Sequence, residues 1–279
     1  MTTTTPAPAY APTPAPAPAP TSAPAYARTI TGSGPGLLLA HGAGGSVEAN
    51  YGPVLEELTA GHTVVGVDYP GTGGTPRSTA PLDLDELADQ LVAAADAAGL
   101  DRFAVSGYSL GGPVALRVAT RHPERVTALV LTATFARADH TLRLAGRLWR
   151  ELFLLGDRDR LALFMAPKAL SPAVLNGLSD ADLAATLKGT GESAPAGTAE
   201  HLALIDEVDV RAELAGIAVP TLVVSTTQDQ LVPPYLHREV AAGIPGARLA
   251  ELPGGHLPFA ETPAEWARLI TDFLAEHDA

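Results

Sequence analysis

Short apolar runs recur along the chain at residues 37–40, 103–105, 127–131 and 219–225, each leading into a glycine-containing or polar turn. Runs this short, largely apolar rather than alternating, predict strands buried on both faces of a sheet. Segments with helical spacing fall between and after them, at residues 54–58, 84–92, 113–118 and 266–274. Strand and helix therefore alternate, and the expected architecture is α/β: a mostly parallel central sheet flanked by helices on both faces. Residues 27–31 are a plausible first strand, and residues 247–252 a short late one.

The rhythm breaks between residues 135 and 204. Leu142, Leu144, Leu148, Trp149, Leu152, Phe153 and Leu155 cluster in one helix-like stretch, followed by Leu161, Leu163, Phe164 and Met165. Pro172, Gly177, Gly189, Gly191 and Pro195 punctuate the remainder. The pattern predicts a helical cap (135–204) inserted into a core formed by residues 26–134 and 205–279. Most of its apolar side chains should pack cap against core, as apolar helix faces usually do.

Residues 1–25 are almost entirely Thr, Pro and Ala. Repeated Ala-Pro steps favour extended polyproline conformations and bury too little to build a core, so a disordered tail is expected. No basic segment precedes an apolar run there, and nowhere does the chain reach the apolar length of a membrane span, which predicts a cytoplasmic protein. A chain of 279 residues suffices for one large α/β domain with an insertion. Its formal net charge of −13 opposes nucleic-acid and anionic-membrane partners. With no cysteine, disulfide, thiolate-metal and cysteine-nucleophile chemistry are excluded.

Candidate chemistry centres on Gly107-Tyr108-Ser109-Leu110-Gly111, set between an apolar run and a helix-like segment. A strand that turns abruptly into a helix strains the residue at its tip and exposes that side chain. Ser109 would be that residue. Gly107 and Gly111 keep Cβ atoms out of the turn, while Gly112 is expected to add slack on the helix side. A nucleophilic serine needs a base, an acid that orients the base, and donors for an oxyanion. His256, in the glycine- and proline-rich loop Leu252-Pro253-Gly254-Gly255-His256-Leu257-Pro258, is the base candidate. Asp229 is the acid candidate because it is the only carboxylate in the loop after residues 219–225, with Asp139 next in line. Leu37-Leu38-Leu39-Ala40-His41-Gly42-Ala43-Gly44-Gly45 runs an apolar strand into a tight turn, and the Ala43 and Leu110 N–H groups are assigned to the oxyanion hole. The competing reading of this turn is a dinucleotide phosphate loop with Asp68 as its acid, but the glycines miss the G-x-G-x-x-G register. His41 is read as structural. Tyr108, Trp149, Phe153 and Leu257 are candidate pocket residues. No metal-ligand spacing is found, and no cofactor is expected.

Taken in order, the His41-Gly42 turn, Val67-Asp68-Tyr69-Pro70-Gly71-Thr72-Gly73, the Ser109 elbow, Asp229, and Gly255-His256 with Pro258 and Glu261-Thr262-Pro263 resemble the α/β-hydrolase superfamily. The resemblance covers about residues 27–277 and points to the capped branch of esterases, lactonases, enol-lactone hydrolases and cofactor-free haloperoxidases. It implies a serine hydrolase whose partner is a small-molecule substrate, a carboxylic ester, lactone or thioester of a small, largely apolar molecule. Ser109 in place of an aspartate argues against the dehalogenase and epoxide-hydrolase branches. The family's opening pair of antiparallel strands is matched here only by residues 27–31, so the first edge strand is expected to be missing or supplied by the tail. A cyclase, isomerase or small-molecule receptor on the same scaffold is the alternative, since a fold does not fix its chemistry.

Overall fold

A computed structural model describes residues 26–277, and the expectation for residues 1–25 lies outside them. In chain order the elements are β1 (Arg28–Gly32), β2 (Gly36–Ala40), α1 (Val47–Tyr51), α2 (Leu55–Thr59), β3 (Thr63–Val67), α3 (Leu84–Ala97), β4 (Phe103–Tyr108), α4 (Gly111–Arg121) and β5 (Val126–Thr132). Five helices follow: α5 (His140–Leu155), α6 (Arg158–Ala169), α7 (Pro172–Gly177), α8 (Asp180–Glu192) and α9 (Thr198–Glu207). The chain closes with β6 (Thr221–Thr226), α10 (Pro234–Gly243), β7 (Arg248–Leu252), α11 (Pro258–Glu261) and α12 (Pro263–Ala275).

The strands form one sheet in the order β1-β3-β2-β4-β5-β6-β7. Only β1 runs antiparallel, pairing Arg28 to Gly32 against Val67 to Thr63. Among the described residues it is the edge on that side, so no second antiparallel strand lies beyond it. Central strands β2, β4 and β6 are buried at every position, which is why they read as largely apolar runs rather than as alternating ones. One face is covered by α3 and α4 over Leu38, Val65, Val105 and Leu129. The other carries α12, whose Trp266, Ile270 and Phe273 pack with Leu37, Leu39 and Val130.

Each crossover starts from a local signal. Asp83 caps α3 by accepting the Glu86 N–H at 3.0 Å, and leucines at 84, 87 and 91 then repeat on the buried side. Helices α5 to α9 all lie between β5 and β6, the interval where the strand rhythm fails, though the last runs on to Glu207. No helix among the described residues is long and apolar enough to cross a membrane.

Candidate active site

Strand β4 reverses into α4 within two residues, and Ser109 occupies the tip with φ +53°. That left-handed conformation is held by three hydrogen bonds. The Ser109 N–H donates to the Thr132 carbonyl at 3.0 Å, while its own carbonyl accepts from Gly112 N–H at 2.9 Å and Thr134 Oγ1 at 2.7 Å. A Cβ on Gly107 would overlap the Gly111 backbone, and one on Gly111 would overlap the Ala40 carbonyl. Gly112 gives no slack. A Cβ there would overlap the Thr134 hydroxyl, so this glycine permits close packing of α4 against the segment after β5.

The loop after β7 brings His256 to Ser109 from 147 residues away, with Nε2 3.0 Å from Oγ. Its other nitrogen lies 2.7 Å from Asp229 Oδ2. A carboxylate only accepts, so Nδ1 carries the proton and Nε2 presents its lone pair to the Ser109 hydroxyl. The loop is pinned along its backbone: His256 N–H donates to the Ala169 carbonyl at 2.7 Å, and Tyr108 Oη donates to the His256 carbonyl at 2.9 Å. Glu261 accepts from Gly255 N–H at 3.1 Å and from Ser171 N–H at 2.8 Å, tying the histidine loop to the segment after α6.

Asp229 is fully buried in the turn after β6. Its Oδ1 accepts from Leu231 N–H at 2.9 Å and Val232 N–H at 2.8 Å, and Thr226 Oγ1 donates to Oδ2 at 3.1 Å. These bonds satisfy a buried carboxylate and fix the oxygen that His256 uses. His237, also fully buried, stands 3.8 Å from the same Oδ2, and burial lowers its pKa to about 4. Asp139, the other acid considered, caps α5 by accepting Leu142 N–H at 2.9 Å and also accepts from Tyr235 Oη.

The turn after β2 lies against the elbow: a Cβ on Gly42 would come 3.3 Å from Ser109 Cβ. The Ala43 and Leu110 N–H groups have no hydrogen-bond partner among the described residues. His41 donates from Nδ1 to the Gly42 carbonyl at 2.8 Å and accepts Tyr69 N–H on Nε2 at 2.9 Å. Both ring nitrogens are spent on backbone, and burial holds its pKa near 3, so it serves the turn. Asp68 is likewise occupied. Its carboxylate accepts Val47 N–H at 2.9 Å and Gly74 N–H at 3.1 Å, which leaves nothing of the dinucleotide reading.

Over Ser109 lies a cavity of about 460 Å³, walled by the two turns on one side and by α5, α6, α8 and α9 on the other. Tyr108, Trp149 and Leu257 line it, together with Phe135, Leu142 and Met165. Among the described residues no Asp, Glu, Lys or Arg side chain lines it. Phe153 does not line it; the Arg158 guanidinium lies 5.0 Å above its ring. Burial and the Asp229 charge lift the Tyr108 pKa well above its ordinary value, so its hydroxyl stays a donor. Among the described residues no group of three or more His, Asp or Glu side chains is placed to hold a metal ion.

Comparison with known proteins agrees with this architecture. Residues 35–263 match the family described as alpha/beta hydrolase fold. Pyrrolizixenacetamide deacetylase of Xenorhabdus hominickii is 34% identical over 251 residues, covering 89% of this chain and 94% of the relative. A protein of Azorhizobium caulinodans provisionally named a carbamate hydrolase is 33% identical over 257 residues, with 89% and 94% covered. Among solved structures, the enol-lactonase of Burkholderia xenovorans LB400 superposes with a TM-score of 0.76 at 25% identity, over 90% of this chain and 96% of that one. The chain belongs to the α/β-hydrolase family, and with it to the hydrolases.

Proposed function

We propose that the chain transfers an acyl group to water through Ser109, His256 and Asp229, acting on a carboxylic ester, lactone or thioester of a small, uncharged, largely apolar molecule. The observation that carries this reading is the line from Asp229 Oδ2 to His256 Nδ1 at 2.7 Å and from His256 Nε2 to Ser109 Oγ at 3.0 Å, ending at an apolar cavity. His256 takes the Ser109 proton as Oγ attacks the carbonyl carbon, and Asp229 stabilises the imidazolium. The Ala43 and Leu110 N–H groups receive the oxyanion. His256 then protonates the leaving group, and water, deprotonated by the same ring, releases the acid from the acyl-enzyme. Helices α5 to α9 act as the cap that shapes the acyl pocket. A deacetylase among the relatives makes an acetamide the second substrate class to assay.

The test is a fluorophosphonate probe followed by peptide mass mapping, beside chromogenic esters from acetate to decanoate. Modification of Ser109 with parallel loss of ester turnover is expected. Labelling elsewhere, or none, would refute the nucleophile assignment.

Trp149→Ala tests the pocket. Removing a ring from the cavity wall should change relative kcat/KM along the ester series by roughly 10- to 200-fold while acetate turnover is mostly kept. An equal change for every ester would mean that Trp149 does not contact the acyl chain.

A further inference from the structure

The turn after β2 offers three consecutive backbone N–H groups, and side chains take the outer two. Gly42 N–H donates to Asn50 Oδ1 at 2.9 Å, and Gly44 N–H donates to His201 Nδ1 at 3.1 Å. Ala43 N–H, between them, is left over. The Gly42 carbonyl at the far side of that peptide is fixed by His41 Nδ1 at 2.8 Å and by Gly45 N–H at 3.2 Å. In a trans peptide N–H and C=O point oppositely, so holding one aims the other.

His201 differs from Asn50 and His41 in coming from α9 rather than from the sheet side of the molecule. Its Nε2 donates to the Pro70 carbonyl at 3.1 Å, which puts the proton on Nε2 and leaves Nδ1 as an acceptor for Gly44. The ring is fully buried, and Tyr69 meets it edge-on with centroids 5.9 Å apart. Burial lowers its pKa to about 4, so the neutral ring that can accept an N–H is the form present at neutral pH. The helix start is fastened beside it. Gly197 N–H donates to the Gly71 carbonyl at 3.0 Å, and a Cβ on either glycine would run into the other strand of this junction.

We propose that His201 is a positioning residue for acyl transfer: it holds the Gly44 peptide so that Ala43 N–H stays the turn's one free donor beside Ser109, and thereby makes the oxyanion site depend on the seating of α9. The proposal rests on the acyl-transfer reading above. Without the ring, Gly44 N–H becomes an orphan donor, and Gly44 at φ +64° has no side chain to resist turning of the peptide. Misalignment of an oxyanion donor weakens the transition state far more than the bound substrate.

The variants His201→Leu and His201→Gln in the full chain test this. Leucine fills space without hydrogen bonding, whereas a glutamine amide can accept from Gly44 and donate to Pro70. His201→Leu is expected to lower kcat for a short chromogenic ester by about 100-fold, with KM within about threefold. Affinity for a trifluoromethyl ketone, which binds as an oxyanion adduct of serine, should fall in parallel, and His201→Gln should recover kcat to within about tenfold of the parent. A His201→Leu protein with parental kcat would overturn the proposal, as would one losing substrate and ketone affinity equally. If His201→Leu does not fold, His201→Gln decides: near-parental kcat with a native melting curve supports the assignment, and a 100-fold loss with that curve overturns it. Failure of Ser109 to label in the parent protein would instead sink the acyl-transfer reading itself.

Discussion

Ser109→Ala should abolish ester turnover, by about 10⁴-fold or more, while the protein melts as the parent does. Among the described residues the Ser109 Oγ has one hydrogen-bond partner, His256 Nε2 at 3.0 Å, so its loss removes the nucleophile and little else. The strained backbone is no obstacle, because Ala133 already adopts φ +50° in the same fold. His256→Ala should cost about as much, and the double variant little more, since groups that act as one unit do not contribute additively. Asp229→Asn belongs to the same test. An amide at that site can turn its NH₂ toward Nδ1, favouring the wrong imidazole tautomer, and should slow every ester alike by up to about 10⁴-fold. Turnover by Ser109→Ala at the parental rate, across the acetate-to-decanoate series, would remove Ser109 from the mechanism. A selective effect of Asp229→Asn on some esters would send the search for the acid elsewhere.

How far such a site can be read from sequence depends on whether its constraint is local. The turns leave signatures: Gly107 and Gly111 appear because a Cβ would overlap backbone one helical turn or one strand away. Parallel strands buried on both faces announce themselves as apolar runs, and this is how β2, β4, β5 and β6 are legible without a structure. Ser109, Asp229 and His256 each sit in a turn with its own composition, and the fold brings those turns within hydrogen-bond distance.

Constraints set by distant partners leave no such mark. His201 lies in the first turn of α9 and meets Gly44 across 157 residues, so nothing around it in the chain distinguishes it from a core histidine. Asn50 and His237 are silent for the same reason, whereas Glu261 falls inside the Gly255–Pro263 signature without its two N–H partners being foreseeable. Helical spacing tells that α5 is amphipathic, not which object each side chain meets. Leu142 and Trp149 face the cavity, Phe153 packs under Arg158, and Leu144 and Leu155 are exposed. Gly112 misled for a related reason: the Thr134 hydroxyl that excludes its Cβ comes from beyond the next strand.

Acid should destabilise this protein in two successive pH windows, the first set by buried histidines. His41, His201 and His237 are all fully buried, and burial lowers their pKa values to about 3, 4 and 4. In the unfolded chain each returns to about 6.5. Between those limits the unfolded state binds more protons, so stability is intact above about pH 6.5 and falls as pH drops toward 4. Each proton contributes a slope of about 1.4 kcal/mol per pH unit, and three together approach 4 kcal/mol per unit, enough within two units to rival the stability of an ordinary domain. Carboxylates act lower. Arg211 holds Asp209 down at about 2, so its contribution is kept until pH falls below the usual carboxylate range. Urea unfolding at half-unit steps from pH 7.5 to 4 checks this through the slope of unfolding free energy against pH. His237→Gln should reduce that slope by about one proton, roughly 1.4 kcal/mol per unit, even though it lowers stability at neutral pH. An unfolding free energy that stayed flat from pH 7 to 4.5 would show that the fold accommodates the charged rings, and the burial argument for all three would fail.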